Sequence, residues 1–250
     1  MMNVTPTVKQ LLIINILFFI GTQIVGEPAY QFLAMFFPEN QNFQGWQVIS
    51  HMFMHGGLMH IFFNMFALYS FGSALEHFWG GKKFLFFYIS CGIGAALLHT
   101  GINYYYFNEA LDIITANGFT KSEVLNLLNQ GKINTLWQEV LTVSQFQNFT
   151  SAFGGVVVGA SGAIYGVVVA FAYMFPNAEL SLLFLPVPIK AKYFVPGILA
   201  IDLFLGLKGQ SIFGAGSTGI AHFAHLGGAI TGFLMMWFWK KNQFNDNRWN

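Results

Sequence analysis

The stretch HMFMHGGLMHIFFNM, residues 51–65, changes character midway. Its first half carries His51, His55 and the glycines Gly56 and Gly57. From Leu58 the chain turns apolar, yet it keeps His60 and Asn64, four residues apart and so on one face of any helix that forms there. The apolar run continues to residue 76, near the ~20 residues a helix needs to cross a bilayer. A transmembrane helix with polar groups at its mouth is the reading that decides the class of this chain.

Composition extends that reading to the whole chain. It is 55% hydrophobic and only 8% charged, where a soluble domain carries about a quarter charged residues. A net charge of +1 leaves no basic tract or acidic tail, so no nucleic-acid partner is expected. The single cysteine, Cys91, lies in an apolar run and excludes a disulfide framework. Five further apolar segments lie near 8–26, 84–106, 156–175, 193–207 and 220–239. The first superficially resembles a signal peptide, but no A-x-A-like cleavage site follows it, and it reads as a retained span. In LSLLFLPVPIK (180–190), Pro186 and Pro188 predict an interfacial loop.

The expected fold is therefore an all-α membrane protein, a bundle of six transmembrane helices in a single domain over residues 1–250. With the N-terminus inside, Lys9, Lys82, Lys83, Lys190, Lys192, Lys240, Lys241 and Arg248 fall on the cytoplasmic side, against Lys121, Lys132 and Lys208 outside. Positive charge collects in cytoplasmic loops, so both termini are expected in the cytoplasm. Residues 27–57 read as an aromatic segment half sunk in the outer interface, with Tyr30 and Trp46 at headgroup level. Residues 107–150 read as a polar external insertion between spans three and four, in which Thr120 and Glu123 have capping-box spacing and Gly131 marks a helix stop.

Under this topology spans two, four and six open at the outer face, and each carries polar residues there. Span two has His60 and Asn64. Span four has GASGAIYG (159–166), with Ser161 after Gly159 and Ala160 and with Tyr165 one turn further on. Span six has AHFAHLGGAITG (221–232), with His225 near its outer end. A serine and a histidine at matching depth on separate helices, with an imidazole and an amide nearby, are the parts of an acyl-transfer site. Strongly polar groups inside spans are costly and point to function. A metal at His51, His55 and His60 is disfavoured, since no cysteine or acid completes the set and Gly56 and Gly57 interrupt the helix that would space them. Asp202, in span five, reads as a structural hydrogen bond within the bundle, and His99, Glu76 and His77 as packing or capping residues. Gly228 and Gly232 have the small-xxx-small spacing that brings span six against span four.

HMFMHGGLMHIFFNM, GASGAIYG and AHLGGAITG, in this order and on these spans, resemble the rhomboid family of intramembrane serine proteases. The resemblance covers nearly the whole membrane region and leaves residues 107–150 unexplained. It implies a serine endopeptidase that cuts in or beside transmembrane segments of other membrane proteins, with Ser161 as nucleophile and His225 as its base in a Ser–His dyad. Tyr165 would orient His225, while His60, Asn64 and the Ser161 N–H would stabilise the oxyanion. Gly159 and Gly162 would let the backbone around Ser161 lie close to its neighbours. The implied substrates have unstable transmembrane helices, the implied location is a bilayer such as the bacterial inner membrane, and no metal or other cofactor is implied. The alternative from another class is a proteolytically silent relative that binds membrane clients. One departure is visible. Many rhomboids have Trp-Arg before the histidine segment, whereas Trp46 is followed here by Gln47, a change that bears on loop anchoring rather than chemistry.

Overall fold

The computed structural model describes residues 3–182, 185–208 and 220–243. Helix α1 (Pro6–Val25) opens on a proline, whose missing N–H is no loss in the first turn, and stops at Gly26, φ 73°. A short α2 (Glu27–Leu33) and α3 (Gln47–Ser50) follow, with a 3-10 turn over His51–Phe53. Then α4 (Leu58–Ala67), a π-helical turn (Leu68–Gly72) and α5 (Ser73–Trp79) run on as one helix, Leu58–Trp79. Gly80, at φ 76°, reverses the chain in one residue into α6 (Gly81–Ala116), a left-handed conformation that side chains with a β-carbon rarely adopt. Next come α7 (Lys121–Asn129), α8 (Trp137–Val140), α9 (Val143–Gly154) and α10 (Ser161–Met174). Strands β1 (Glu179–Leu182) and β2 (Leu185–Lys190) lead to α11 (Ala191–Lys208) and α12 (Ile220–Gln243). Three of these elements, Pro6–Val25, Leu58–Trp79 and Gly81–Ala116, are long and apolar enough to cross a membrane, and α10 is a shorter apolar helix.

Two differences from the sequence reading have physical causes. The segment with Pro186 and Pro188 is not a loop but half of an antiparallel hairpin, in which Glu179 pairs with Lys190 and Leu180 with Ile189. A two-stranded ribbon has only edge strands, where proline is tolerated. The helix that carries the third apolar segment also runs on past residue 106. It has 36 residues, about 54 Å at 1.5 Å per residue, against a hydrocarbon core of about 30 Å. The surplus turns serve as a wall for a second core, in which Phe107, Ala110, Leu111 and Ile114 pack with Val124, Trp137, Phe149 and Phe153 from α7, α8 and α9, and with Phe37 from the segment after α2. The capping box foreseen at Thr120 and Glu123 opens α7, and Gly131 sits just past its end at φ 68°.

The first core centres on α10. Gly162, Ala163, Gly166, Val167 and Ala170 are buried on it, and their small size lets neighbouring backbones approach. A β-carbon at Gly228 of α12 would overlap the Gly162 carbonyl, and one at Gly232 would fall 2.7 Å from the Gly166 Cα. At Gly162 it would be 2.5 Å from the Ala95 Cβ of α6. At the opposite end of the bundle from Ser161, Glu76 of α5 caps α1, accepting the N–H groups of Thr7 and Val8 at 2.8 Å each and the Thr5 hydroxyl at 2.5 Å. The first-turn donors of a helix have no partner within it. A carboxylate from the next long helix supplies one here.

Candidate active site

An extended segment delivers the chain to Ser161. Val157 exchanges both backbone hydrogen bonds with Met35, at 2.9 and 3.0 Å, and Gly159 donates to the His51 carbonyl at 2.9 Å. Gly159 sits at φ 127°, a conformation that favours glycine. Ser161 is the first residue of α10, so its N–H belongs to the first helical turn, where donors lack intrahelical acceptors and the helix dipole favours negative charge.

His225 lies near the start of α12, and its Nε2 is 2.9 Å from the Ser161 hydroxyl. Tyr165, one turn along α10, stacks on the His225 imidazole with ring centroids 4.3 Å apart and planes 9° from parallel. The close approach of Gly228 to Gly162 therefore fixes more than packing, since both lie within one turn of the Ser161–His225 contact.

His60 and Asn64 close the other side. The Gly56 N–H donates to His60 Nδ1 at 3.3 Å, which leaves the proton of the neutral ring on Nε2. That nitrogen faces the bare Cα of Gly159: a β-carbon there would lie 2.8 Å from His60 Nε2 and 3.6 Å from Ser161 Oγ. Glycine at this position keeps open the space that the two side chains share. Asn64, buried, gives one amide hydrogen to the His60 carbonyl at 2.8 Å and retains a second.

Loop residues hold this wall in place. His51 Nδ1 donates to the Gln47 carbonyl at 2.8 Å, and Tyr30 donates to the His55 carbonyl at 3.3 Å. Burial pushes both imidazoles below their ordinary titration range, His55 down to about 4, with His60 as a second cause for it. Gln47, where many rhomboids have arginine, is fully buried. Its amide donates to the carbonyls of Gln31 (3.1 Å) and Asn42 (3.0 Å) and accepts from the N–H groups of Gln44 (3.0 Å) and Phe36 (3.4 Å). A neutral amide here satisfies two donors and two acceptors of the loop and so anchors it without a charge.

The sequence reading missed one neighbour of the pair. Asp202, from α11, makes the bundle hydrogen bond expected of it, with His222 Nδ1 at 2.5 Å. The same oxygen lies 3.5 Å from His225 Nδ1. The only signal in the sequence was a carboxylate inside an apolar span. Asp202, His222 and His225 each offer one ligand atom, all within 4.8 Å of one another, so among the described residues this trio, rather than the histidines of the loop, has the proportions of a metal site.

The family model for the Rhomboid domain matches residues 42–119 and 131–242. The chain belongs to the rhomboid family. Among the relatives of this rhomboid, the mitochondrial Rhomboid protein 1 of Saccharomyces cerevisiae is 27% identical over 195 residues, 78% of this chain and 42% of that protein. Rhomboid protease GlpG of Klebsiella pneumoniae is 35% identical over 82 residues, 32% of this chain and 30% of that protein. Rhomboid protease AarA of Providencia stuartii is 26% identical over 193 residues, 76% of this chain and 54% of that protein. This rhomboid thus spans about half or less of the length of these relatives. With its long apolar helices, it is an integral membrane protein.

Proposed function

We propose that this rhomboid is an intramembrane serine endopeptidase that hydrolyses peptide bonds in or next to transmembrane segments of other membrane proteins. The observation that carries the reading is the 2.9 Å contact between Ser161 Oγ and His225 Nε2 under the stacked Tyr165 ring. Relatives named as rhomboid proteases, GlpG and AarA, support it.

In the proposed reaction His225 Nε2 takes the Ser161 proton as Oγ attacks the scissile carbonyl, and returns it to the leaving amine. The carbonyl oxygen, now negative, is held by the Ser161 N–H and by the His60 and Asn64 side chains. Water then attacks the acyl-enzyme by the same route. The scissile bond of an intact helix is shielded by its own i to i−4 hydrogen bonds, so substrates are membrane proteins whose transmembrane helices unwind easily. No cofactor is called on.

The architecture we propose is a single membrane domain with six spans, formed by α1, α4 with α5, α6, α10, α11 and α12, with both termini cytoplasmic. Residues 107–150 form the external insertion, and the bilayer is the bacterial inner membrane. Labelling by a fluorophosphonate, together with cleavage of a single-span substrate in proteoliposomes, tests the reading. Wild type should do both, and Ser161→Ala and His225→Ala neither, although both variants insert and purify normally. Because the two residues act as a unit, the double variant should be no worse than either single one. Unlabelled wild-type protein that still captures membrane clients would favour a silent binding protein instead.

A further inference from the structure

We propose that Asp202 is a positioning residue for His225, extending the pair to a Ser161–His225–Asp202 chain with His222 as the strut that holds the carboxylate. The inference rests on the Ser–His reading above and adds to it a residue from a further helix, α11.

Chemistry fixes the protons. An ionised carboxylate only accepts hydrogen bonds, so the Asp202 oxygen between the rings receives Nδ1–H from His222 at 2.5 Å and favours the tautomer of His225 that points Nδ1–H at it from 3.5 Å. With its proton on Nδ1, neutral His225 presents a bare Nε2 to the Ser161 hydroxyl 2.9 Å away. That is the one tautomer in which it accepts the serine proton. Stacking by Tyr165 orients the ring plane but cannot choose between nitrogens. Asp202 can.

Position supports the assignment. Asp202 is 4% exposed and His222 7%, so the carboxylate acts where water screens it little. The strut matters because Asp202 reaches His225 from another helix, and the short bond to His222 ties it to α12, the helix that carries His225. A 3.5 Å contact is long for a ground-state hydrogen bond. It is suited to tightening once His225 becomes an imidazolium, when the attraction gains a full charge. In that step the proton moves from Ser161 Oγ to His225 Nε2, and Asp202 stays ionised throughout. Among the described residues, the groups facing His225 are Ser161 and Tyr165 from α10, Asp202 from α11 and His222 on its own helix. Asp202 is the only acid among them.

The test measures fluorophosphonate labelling and substrate cleavage against pH in proteoliposomes, with EDTA present so that no metal occupies the trio. Asp202→Asn keeps the shape and can still accept from His222, but loses the charge. Its plateau rate should fall about 10- to 100-fold, short of the ~10⁴-fold known for a closely bonded triad aspartate. The acidic limb of its pH profile should move to lower pH, because the imidazolium loses its negative neighbour. Asp202→Glu should recover part of both. A wild-type plateau and limb in Asp202→Asn would overturn the proposal, leaving Asp202 as a tie between helices. A lower plateau with an unmoved limb would overturn it too, since looser packing reduces the active fraction without altering the protonation that controls it. Labelling that survives Ser161→Ala would instead bring down the underlying Ser–His reading.

Discussion

His60 presents Nε2–H toward the space kept open by Gly159, because the Gly56 N–H occupies its other nitrogen. In the proposed reaction a donor fixed in this way before the substrate arrives would stabilise charge that appears only as the tetrahedral oxygen forms. His60→Ala and Asn64→Ala should therefore lower kcat by about 10- to 1000-fold each with little change in KM, the range expected for single oxyanion donors. Steady-state kinetics on a single-span substrate check this, and an equal rise in KM would assign the two residues to substrate binding. His55, just outside the span, gives a prediction about pH. Burial pushes it from 6.5 to about 4, so between these values the unfolded chain binds a proton that the folded loop refuses. Stability is then level above pH 6.5, falls as pH drops toward 4, and levels off below, by at most about 3.4 kcal/mol at 1.36 kcal/mol per unit. His51 is displaced in the same direction by the same cause. Thermal midpoints in detergent at pH 7.5 and 4.5 should differ, and His55→Gln should narrow the gap. An unchanged gap would mean that other groups control acid sensitivity.

Contacts between elements set the distance between Ser161 and His225, the two side chains proposed to react. Gly228→Val would drive a side chain into the Gly162 carbonyl, one residue from Ser161, and backbone atoms cannot move aside as a flexible side chain can. Helix α12 must then lift from α10. The expected result is a loss of cleavage of at least about 100-fold, the order assigned to a 1 Å misplacement of reacting groups, in a protein that still inserts. Gly101→Ala, with nothing within 4 Å of the added carbon, should leave the rate unchanged. Assays of the two variants at equal inserted amounts decide between a packing requirement and a general intolerance of glycine replacement. The spacing of Gly228 and Gly232 was readable in the sequence, as was the order of the motifs, because both depend on local periodicity. Asp202 beside His225 was not, since it depends on how far α11 is rotated against α12, and no pattern within either helix encodes that. The hairpin of β1 and β2 was missed for a related reason. Two prolines argue against a helix but do not say whether the strands flanking residues 183–184 pair.

At the scale of the molecule, two cores are joined end to end by α6, one around α10 and the other around Phe107, Trp137 and Phe149. The second was only half legible in the sequence. Its capping box stood out, but the run 107–150 looked polar because its apolar residues are spread over four elements and meet only once folded. This second core also grips the segment that precedes the histidines: Phe37 packs into it, Asn40 donates to the Phe153 carbonyl at 3.2 Å, and Gln41 donates two hydrogen bonds to Asn129, from its backbone N–H to the side-chain oxygen and from its amide to the backbone carbonyl, at 3.0 Å each. The proposed six-span topology puts all of this outside the membrane and makes a linked prediction. Reporter fusions at residue 250 and in the 82–83 turn should report cytoplasm, and a protease site placed near residue 130 should be cut only from the outer side. Truncation of a buried aromatic in the second core then separates anchoring from chemistry. Trp137→Ala, at a side chain with no exposure, should cost about 3–5 kcal/mol of local stability and free the segment from residue 34 to 46, so that limited proteolysis from outside cuts there as well as in the insertion. Fluorophosphonate labelling at Ser161 should persist at a reduced rate, because the contacts of α10 with α12 lie in the other core. Complete loss of labelling with the membrane helices still protected would mean that the two cores fold as one unit, and that the insertion belongs to the reaction centre rather than to its outer support.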